Sequence, residues 1–356
     1  MSLFAKLANS FTPPNFILEQ SCGIDLSDHS VKYLDYRLPV KDDVPTIDKM
    51  IRLPIKDGVI RDGDIIDNDL LEQELKIYKN VFKKRFAHIS LPEELVFVFY
   101  FFSENSKASD IKGEIELKIN EFVPADPAKL NYDFSFEDFN GGSLVSVSAF
   151  PKDIVDEYKV AIEGLGIVVK SAEIETLSMA RAIRVNNKNE FYAILDMGGS
   201  KFTLSIFYKD LILFSATQKT DITALLNKIY NDDKERRFDF DDWKLKEGLI
   251  FVDKSVADPV FEEIFTQVNK YLSYWEQNFD NGNLKVEQIY LVGGNSNLAG
   301  LDVYLTNKLM RRVSFPDFSY LVSGDEIIKY NKHNYSSFAT CIGLVLKDFE
   351  LCKIYY

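Results

Sequence analysis

An apolar run that ends in an aspartate, turns through small polar residues and returns as an alternating strand occurs twice in this chain. The first copy is CGIDLSDHSVKYL, with Asp25 ending the run, and the second is AILDMGGSKFTLSIF, with Asp196 in the same place. Each reads as a β-hairpin whose first strand delivers a carboxylate to a tight turn. A motif repeated at long separation predicts two lobes of related design rather than one small domain. At 356 residues the chain is long enough to bury a proper core in each.

The segments between the copies fit that frame. A helix is predicted from about Asn68 to Phe86, opening on an Asn/Asp cap and closing on Lys83-Lys84-Arg85, the charge order that complements a helix dipole. LVFVFYFF, Leu95 to Phe102, reads as a buried strand and is far short of the ~20 residues of a membrane span. Residues 103–166 carry a helix with Ile111, Ile115, Ile119 and Phe122 on one face, short strands at Tyr132 to Phe139 and Leu144 to Phe150, and a second helix from Pro151 to Gly164. That succession reads as a small inserted α+β unit. A helix from Ile174 to Ile183 then leads to Asn186-Asn187-Lys188-Asn189, the expected lobe boundary. Beyond the second hairpin a charged helical stretch, with one long helix at Phe261 to Phe279, precedes a strand at Val286 to Val292. This strand ends in Gly293-Gly294-Asn295, and helices follow at Gly300 to Met310 and Ser336 to Leu346.

Composition narrows the partners. With 42 basic against 55 acidic residues the net charge is -13, which repels phosphate backbones and anionic lipid, so neither nucleic acid nor a bare membrane is expected to bind. Any membrane link should run through another protein. The opening MSLFAKLANSFTPP lacks a sustained apolar core and reads as an N-terminal arm rather than a signal peptide. Cys22, Cys341 and Cys352 are too few and wrongly spaced for a zinc site or a disulfide framework, as expected of the cytoplasm.

Three turns carry the chemistry: Asp25 with Ser27-Asp28-His29, Asp196 with Gly198-Gly199-Ser200, and Gly293-Gly294-Asn295. Glycine after a strand lets backbone amides approach a phosphate, and a strand-end aspartate can hold magnesium through water. Singly, each is an ordinary tight turn. Together and in this order they resemble the actin and Hsp70 superfamily of two-lobed ATPases. Within it the chain is similar, over nearly its whole length, to the PilM family of type IV pilus assembly and more distantly to the division protein FtsA. GIDLSDHSVKYL resembles the first phosphate loop, KINEFVPADPAKLNYDF the family's helix, proline turn and strand, and ILDMGGSKFTL the second phosphate loop. IYLVGGNSNLAGLDVYLTNKL resembles the adenosine loop with its helix, and FATCIGLVLKDF the closing helix.

The resemblance implies an α/β, duplicated actin-like (RNase H-like) two-lobed ATPase fold with an inserted α+β subdomain in the first lobe. It divides the chain into an arm (1–15), a first lobe core (16–102 and 167–187), the inserted subdomain (103–166), a second lobe core (188–220 and 284–356) and a helical subdomain (221–283). ATP and Mg2+ are the implied ligands. Asp25 and Asp196 would face the metal, Ser27 and Lys32 would serve the first phosphate loop, and Gly198, Gly199 and Ser200 the second. Gly293, Gly294 and Asn295 would flank adenosine, while Lys32 on its hairpin could equally point to solvent. Glu175 matches the acid that orients the attacking water in hydrolytic relatives, although a carboxylate at a helix start also complements the dipole. Implied partners are the cytoplasmic tail of a PilN-like inner-membrane protein, in a groove between the first lobe and the inserted subdomain, and the pilus platform and motor proteins. Self-association stays open, and the expected location is the cytoplasm, peripheral to the inner membrane.

The first loop departs from the family: Ser27 stands for a usual glycine, and Asp28 and His29 for small hydroxyl residues. Asp28 either meets the triphosphate, where like charges about 4 Å apart cost about 4 kcal/mol near a protein surface, or points away, or helps hold the metal. His29 reads as a turn residue, since no second His or Cys lies near it in sequence. Two alternatives remain at this point: a sugar or acetate-type kinase on the same fold, and a scaffold that no longer binds nucleotide.

Overall fold

Fifteen strands order the computed structural model, which describes residues 20–37, 46–184, 190–232, 237–279, 284–318, 320 and 332–355. The arm at 1–15 and the junction Asn186 to Asn189 lie outside the described residues. In chain order the strands begin with β1 (Ser21–Ser27), β2 (Ser30–Arg37) and β3 (Thr46–Pro54), the short pair β4 (Ile60–Arg61) and β5 (Asp64–Ile65), and β6 (Phe86–Leu91). There follow β7 (Phe97–Ser103), β8 (Leu130–Phe139), β9 (Gly142–Pro151) and β10 (Val168–Ile174). The second half holds β11 (Phe191–Met197), β12 (Lys201–Tyr208), β13 (Leu211–Lys219), β14 (Gln288–Val292) and β15 (Arg312–Ser314).

The repeat seen in the sequence is a repeat of topology. One sheet runs β3-β2-β1-β6-β10 and the other β13-β12-β11-β14-β15. In each, three antiparallel strands are followed by two that join the first strand in parallel. β1 and β11 are therefore central, covered on both faces, and almost every residue in them is buried. The two-lobed, duplicated α/β fold is as expected. Between the lobes, helix Glu175–Arg184 crosses the closing helix Ala339–Tyr355 so tightly that a Cβ on Gly343 would fall 1.7 Å from the Ser178 carbonyl oxygen. Only glycine permits that approach.

The structure corrects three local expectations. The helix that opens at the Asp67 cap ends at Ile77, not Phe86. FAHISL is instead β6, because Ala87, Ile89 and Leu91 fill the core between β1 and β10, and Lys84 pairs with the buried Asp35 at 3.1 Å rather than closing a helix. The aromatic run at Leu95 to Phe102 gives β7, an edge strand rather than a fully buried one, with Phe99 and Phe101 inward and Phe102 outward. β7 pairs with β9, so the small sheet β7-β9-β8 starts before residue 103. Helix Ala108–Phe122 packs Ile111, Ile115 and Ile119 against this sheet. Helix Lys152–Glu163, expected within the same unit, buries Tyr158 and Ile162 among Leu71, Leu75 and Ile89 of the first lobe.

Candidate functional site

All three turns open onto one interlobe cleft of about 260 Å³. Each residue expected there from the sequence lines it: Asp25, Ser27, Lys32 and Glu175 from the first lobe, and Asp196, Gly198, Gly199, Ser200, Gly293, Gly294 and Asn295 from the second. Asp28 and His29 line it as well. Parallel register explains the convergence, since β11 and β14 lie side by side with Asp196 opposite Val292, and so their terminal turns share one sheet edge.

In the first loop the side chains are committed to the protein. Ser27 donates its hydroxyl to the Ser30 carbonyl at 3.0 Å, closing its own turn. Asp28 accepts from the backbone N–H groups of Asp62 and Gly63 at 3.0 and 3.1 Å, so its carboxylate ties the loop to the β4–β5 turn. His29 pairs with Asp57 at 3.1 Å, and its ring edge sits 3.9 Å from where a Gly199 Cβ would be, so the imidazole stands between the two aspartate turns. Lys32 does not point to solvent. Its ammonium bridges to Asp25 at 2.8 Å, and Ser90 donates to the other Asp25 oxygen at 2.8 Å. Burial pushes the Asp25 carboxyl up, but Lys32 and the Ser90 hydroxyl outweigh it and hold it below its ordinary value.

The second loop is built to leave backbone donors available. Gly198 N–H closes the hairpin on the Lys201 carbonyl, while the carbonyls of Ser200 and Gly199 accept from Thr220 and Thr223. Among the described residues the Gly199 and Ser200 N–H groups have no backbone partner. Gly293 has φ +93°, and a Cβ there would lie 2.1 Å from Asp196 Oδ1, so the third turn admits no side chain beside the aspartate. Asn295 is buried: its amide donates to the Gly198 carbonyl at 2.6 Å and to Thr223 at 3.2 Å, and its Oδ1 accepts from Lys244. It locks the second loop to the third rather than presenting a free group to the cleft.

Acidity is arranged unevenly across the floor. Burial drives Glu175 well above the usual carboxylate range, with Asp25, Glu94 and Asp196 adding to the rise and Lys201 opposing it. Asp196 is likewise raised by burial, against the pull of Lys32 and Lys201. Lys201 pairs with Glu94 of the first lobe, which joins the lobes beneath the cleft. A general base must be ionised to accept a proton, and burial with the neighbouring carboxylates shifts Glu175 in the opposite direction, towards its protonated form.

The donors do not suit a directly bound magnesium ion. Asp25 already receives Lys32 and Ser90, Asp196 is pressed against Gly293 and pushed towards its neutral form, and no cluster of three or more His, Cys, Asp or Glu side chains able to hold a metal occurs among the described residues. Lys32 supplies the positive charge beside Asp25.

Sequence reasoning missed Arg52, Lys201, Thr223 and Phe240, which also line the cleft, as do Asp241 and Lys244 of DDWKLKEG, a segment that only loosely resembles the family's Glu-and-Lys ribose contacts, its spacing off by one. In the structure Asp241 and Lys244 lie three apart on helix Phe240–Lys246 and thus on one face.

A family model described as type IV pilus assembly protein PilM matches residues 23–349. The chain belongs to the PilM family. Among solved structures, a PilM-PilN type IV pilus biogenesis complex aligns with a TM-score of 0.73 at 17% identity, over 92% of this chain and 98% of that one. The ethanolamine utilization protein EutJ from Carboxydothermus hydrogenoformans aligns with a TM-score of 0.54 at 14% identity, over 94% and 90%. These likenesses show the fold. No curated protein matches the chain in sequence. As a PilM-family chain it is a type IV pilus assembly protein with an actin-like fold, and no helix among its described residues is long and apolar enough to cross a membrane.

Proposed function

We propose that this PilM-family protein is a nucleotide-holding scaffold: the cleft takes an adenine nucleotide, and a separate groove takes the cytoplasmic tail of a PilN-like inner-membrane protein. The observation that carries the first half is the convergence of the two aspartate turns and the Gly293 turn on one cleft, with the amides of Gly199 and Ser200 available to a phosphate. Hydrolysis is at most slow in this reading, because burial and the neighbouring carboxylates raise Glu175, the candidate acid for activating water, well above the ordinary carboxylate range and favour its protonated form. The same observation disfavours a kinase, which needs a base beside the transferred phosphate.

The groove of the second half has a volume of about 590 Å³ and lies between the inserted sheet, β10 with the interlobe helix, and the second-lobe residues Asp210, Leu211 and Lys347. β8 borders it with Asp133, Ser135 and Glu137, and Leu177, Ala180 and Arg184 of the interlobe helix face it. β8 is an edge strand, so an extended tail can add to it by backbone hydrogen bonds. Such a tail would tether a chain of net charge -13 to the inner membrane through a protein rather than lipid.

A synthetic PilN-like tail peptide, titrated by fluorescence anisotropy, is expected to bind wild type and to lose at least tenfold in affinity to Ser135→Trp. Ser135 is exposed, so the variant folds as wild type does. Equal binding to both, or no binding to wild type with or without ATP, would overturn the tail assignment.

A further inference from the structure

Four cations line the cleft, and two of them have an acid partner: Lys32 has Asp25 and Lys201 has Glu94. Arg52 and Lys244 have none among the described residues. They come from opposite lobes. Arg52 lies on β3 directly across from Lys32, which lies across from Asp25, so the three form one cross-strand row on the cleft face. Asp25 offsets Lys32 and leaves Arg52 as surplus positive charge at the end of the row.

From the other side, Lys244 rises from helix Phe240–Lys246 and, among the described residues, donates to neutral acceptors, the Gly294 carbonyl at 3.1 Å and Asn295 Oδ1 at 3.3 Å. Arg52 reaches the same glycine, its Nη1 lying 3.8 Å from where a Gly294 Cβ would be. The two cations thus meet at Gly294 across the mouth. Burial depresses the Lys244 ammonium; Asp241 opposes the fall and Arg52 adds to it, as expected of like charges brought together without an anion.

We propose that Arg52 and Lys244 form an anion clamp that closes from opposite lobes on a phosphate group of the bound ligand. This rests on the cleft being a nucleotide site and adds two residues from outside the three turns. The guanidinium suits the task because its fork matches two phosphate oxygens, whereas Lys244 acts as a point charge. An anion between them relieves their mutual repulsion and joins the lobes at the rim, opposite the Lys201–Glu94 pair at the floor.

The test is calorimetric titration of wild type, Arg52→Gln and Lys244→Gln with ATP, tripolyphosphate and adenosine. Arg52 is exposed and has no acid partner among the described residues to lose, so Arg52→Gln should match wild type in its circular dichroism spectrum and melting. Loss of a charge-assisted contact predicts a fall in ATP and tripolyphosphate affinity of roughly tenfold to a hundredfold, with adenosine changed less than twofold. The clamp is overturned if Arg52→Gln binds ATP as tightly as wild type, or if adenosine affinity falls in parallel. Wild type that binds no ATP and no tripolyphosphate overturns both the clamp and the nucleotide reading. Wild type that binds tripolyphosphate through Arg52 but ATP no better overturns the adenine assignment alone and upholds the clamp.

Discussion

Replacing Glu173 by glutamine should destabilise the protein by about 3 kcal/mol at pH 7 and by about half of that at pH 3. Glu173 is the penultimate residue of β10, and its buried carboxylate gathers the parts that join the lobes. Arg181 of the interlobe helix forms a bidentate pair with it, Ser178 donates to it at 2.6 Å, and Lys347 of the closing helix reaches it at 2.9 Å. Burial alone would raise this carboxyl; the guanidinium, the ammonium and the hydroxyl outweigh burial and hold it at about 2, against an ordinary 4.5. At about 1.4 kcal/mol per unit, that difference is worth about 3 kcal/mol when the group is fully ionised in both states. A depressed acid contributes above its unfolded value and loses its contribution as pH falls through the folded one, so the window lies between about 5 and 2. Urea unfolding of wild type and Glu173→Gln at the two pH values isolates this group, because every other titration is common to both proteins. Equal destabilisation at pH 7 and pH 3, or none at pH 7, would refute the reasoning.

Gly343→Ala should lower stability by at least about 2 kcal/mol and reduce the melting temperature by several degrees, because its Cβ would collide with backbone rather than with a side chain that can move; an unchanged melting curve would show that the two interlobe helices can separate freely. Glu175→Gln should leave the rate of phosphate release from ATP within about twofold of wild type, since a carboxyl shifted by burial towards its protonated form contributes little as a proton acceptor. A loss of tenfold or more in that assay would show Glu175 to be ionised and catalytic.

The twin hairpins were legible because apolar strand, aspartate and small turn are contiguous in sequence. Two lobes, the three cleft turns and all eleven expected cleft residues followed from that local pattern. What was illegible depends on contacts between distant segments. β6 was hidden because its basic approach, Lys83-Lys84-Arg85, imitates a helix end, and only its place between β1 and β10 explains FAHISL as a strand. β7 looked like a buried strand because hydrophobicity does not say which sheet receives it. The role of Asp28 turned on the amides of Asp62 and Gly63, and that of Lys32 on Asp25 one strand away. Arg52 carried no local sign at all, since β3 enters the cleft only through its register with β2.

The central claim is that the three turns form a site for adenine nucleotide whose positive charge comes from side chains. Calorimetric titration of ATP into the protein in EDTA, repeated with magnesium and with Gly293→Ala, tests it most directly. The account predicts saturable binding by wild type in both buffers, within a few-fold of one another, and none by Gly293→Ala, whose Cβ would strike Asp196. Binding that appears only with magnesium, or no binding in either buffer, would contradict it.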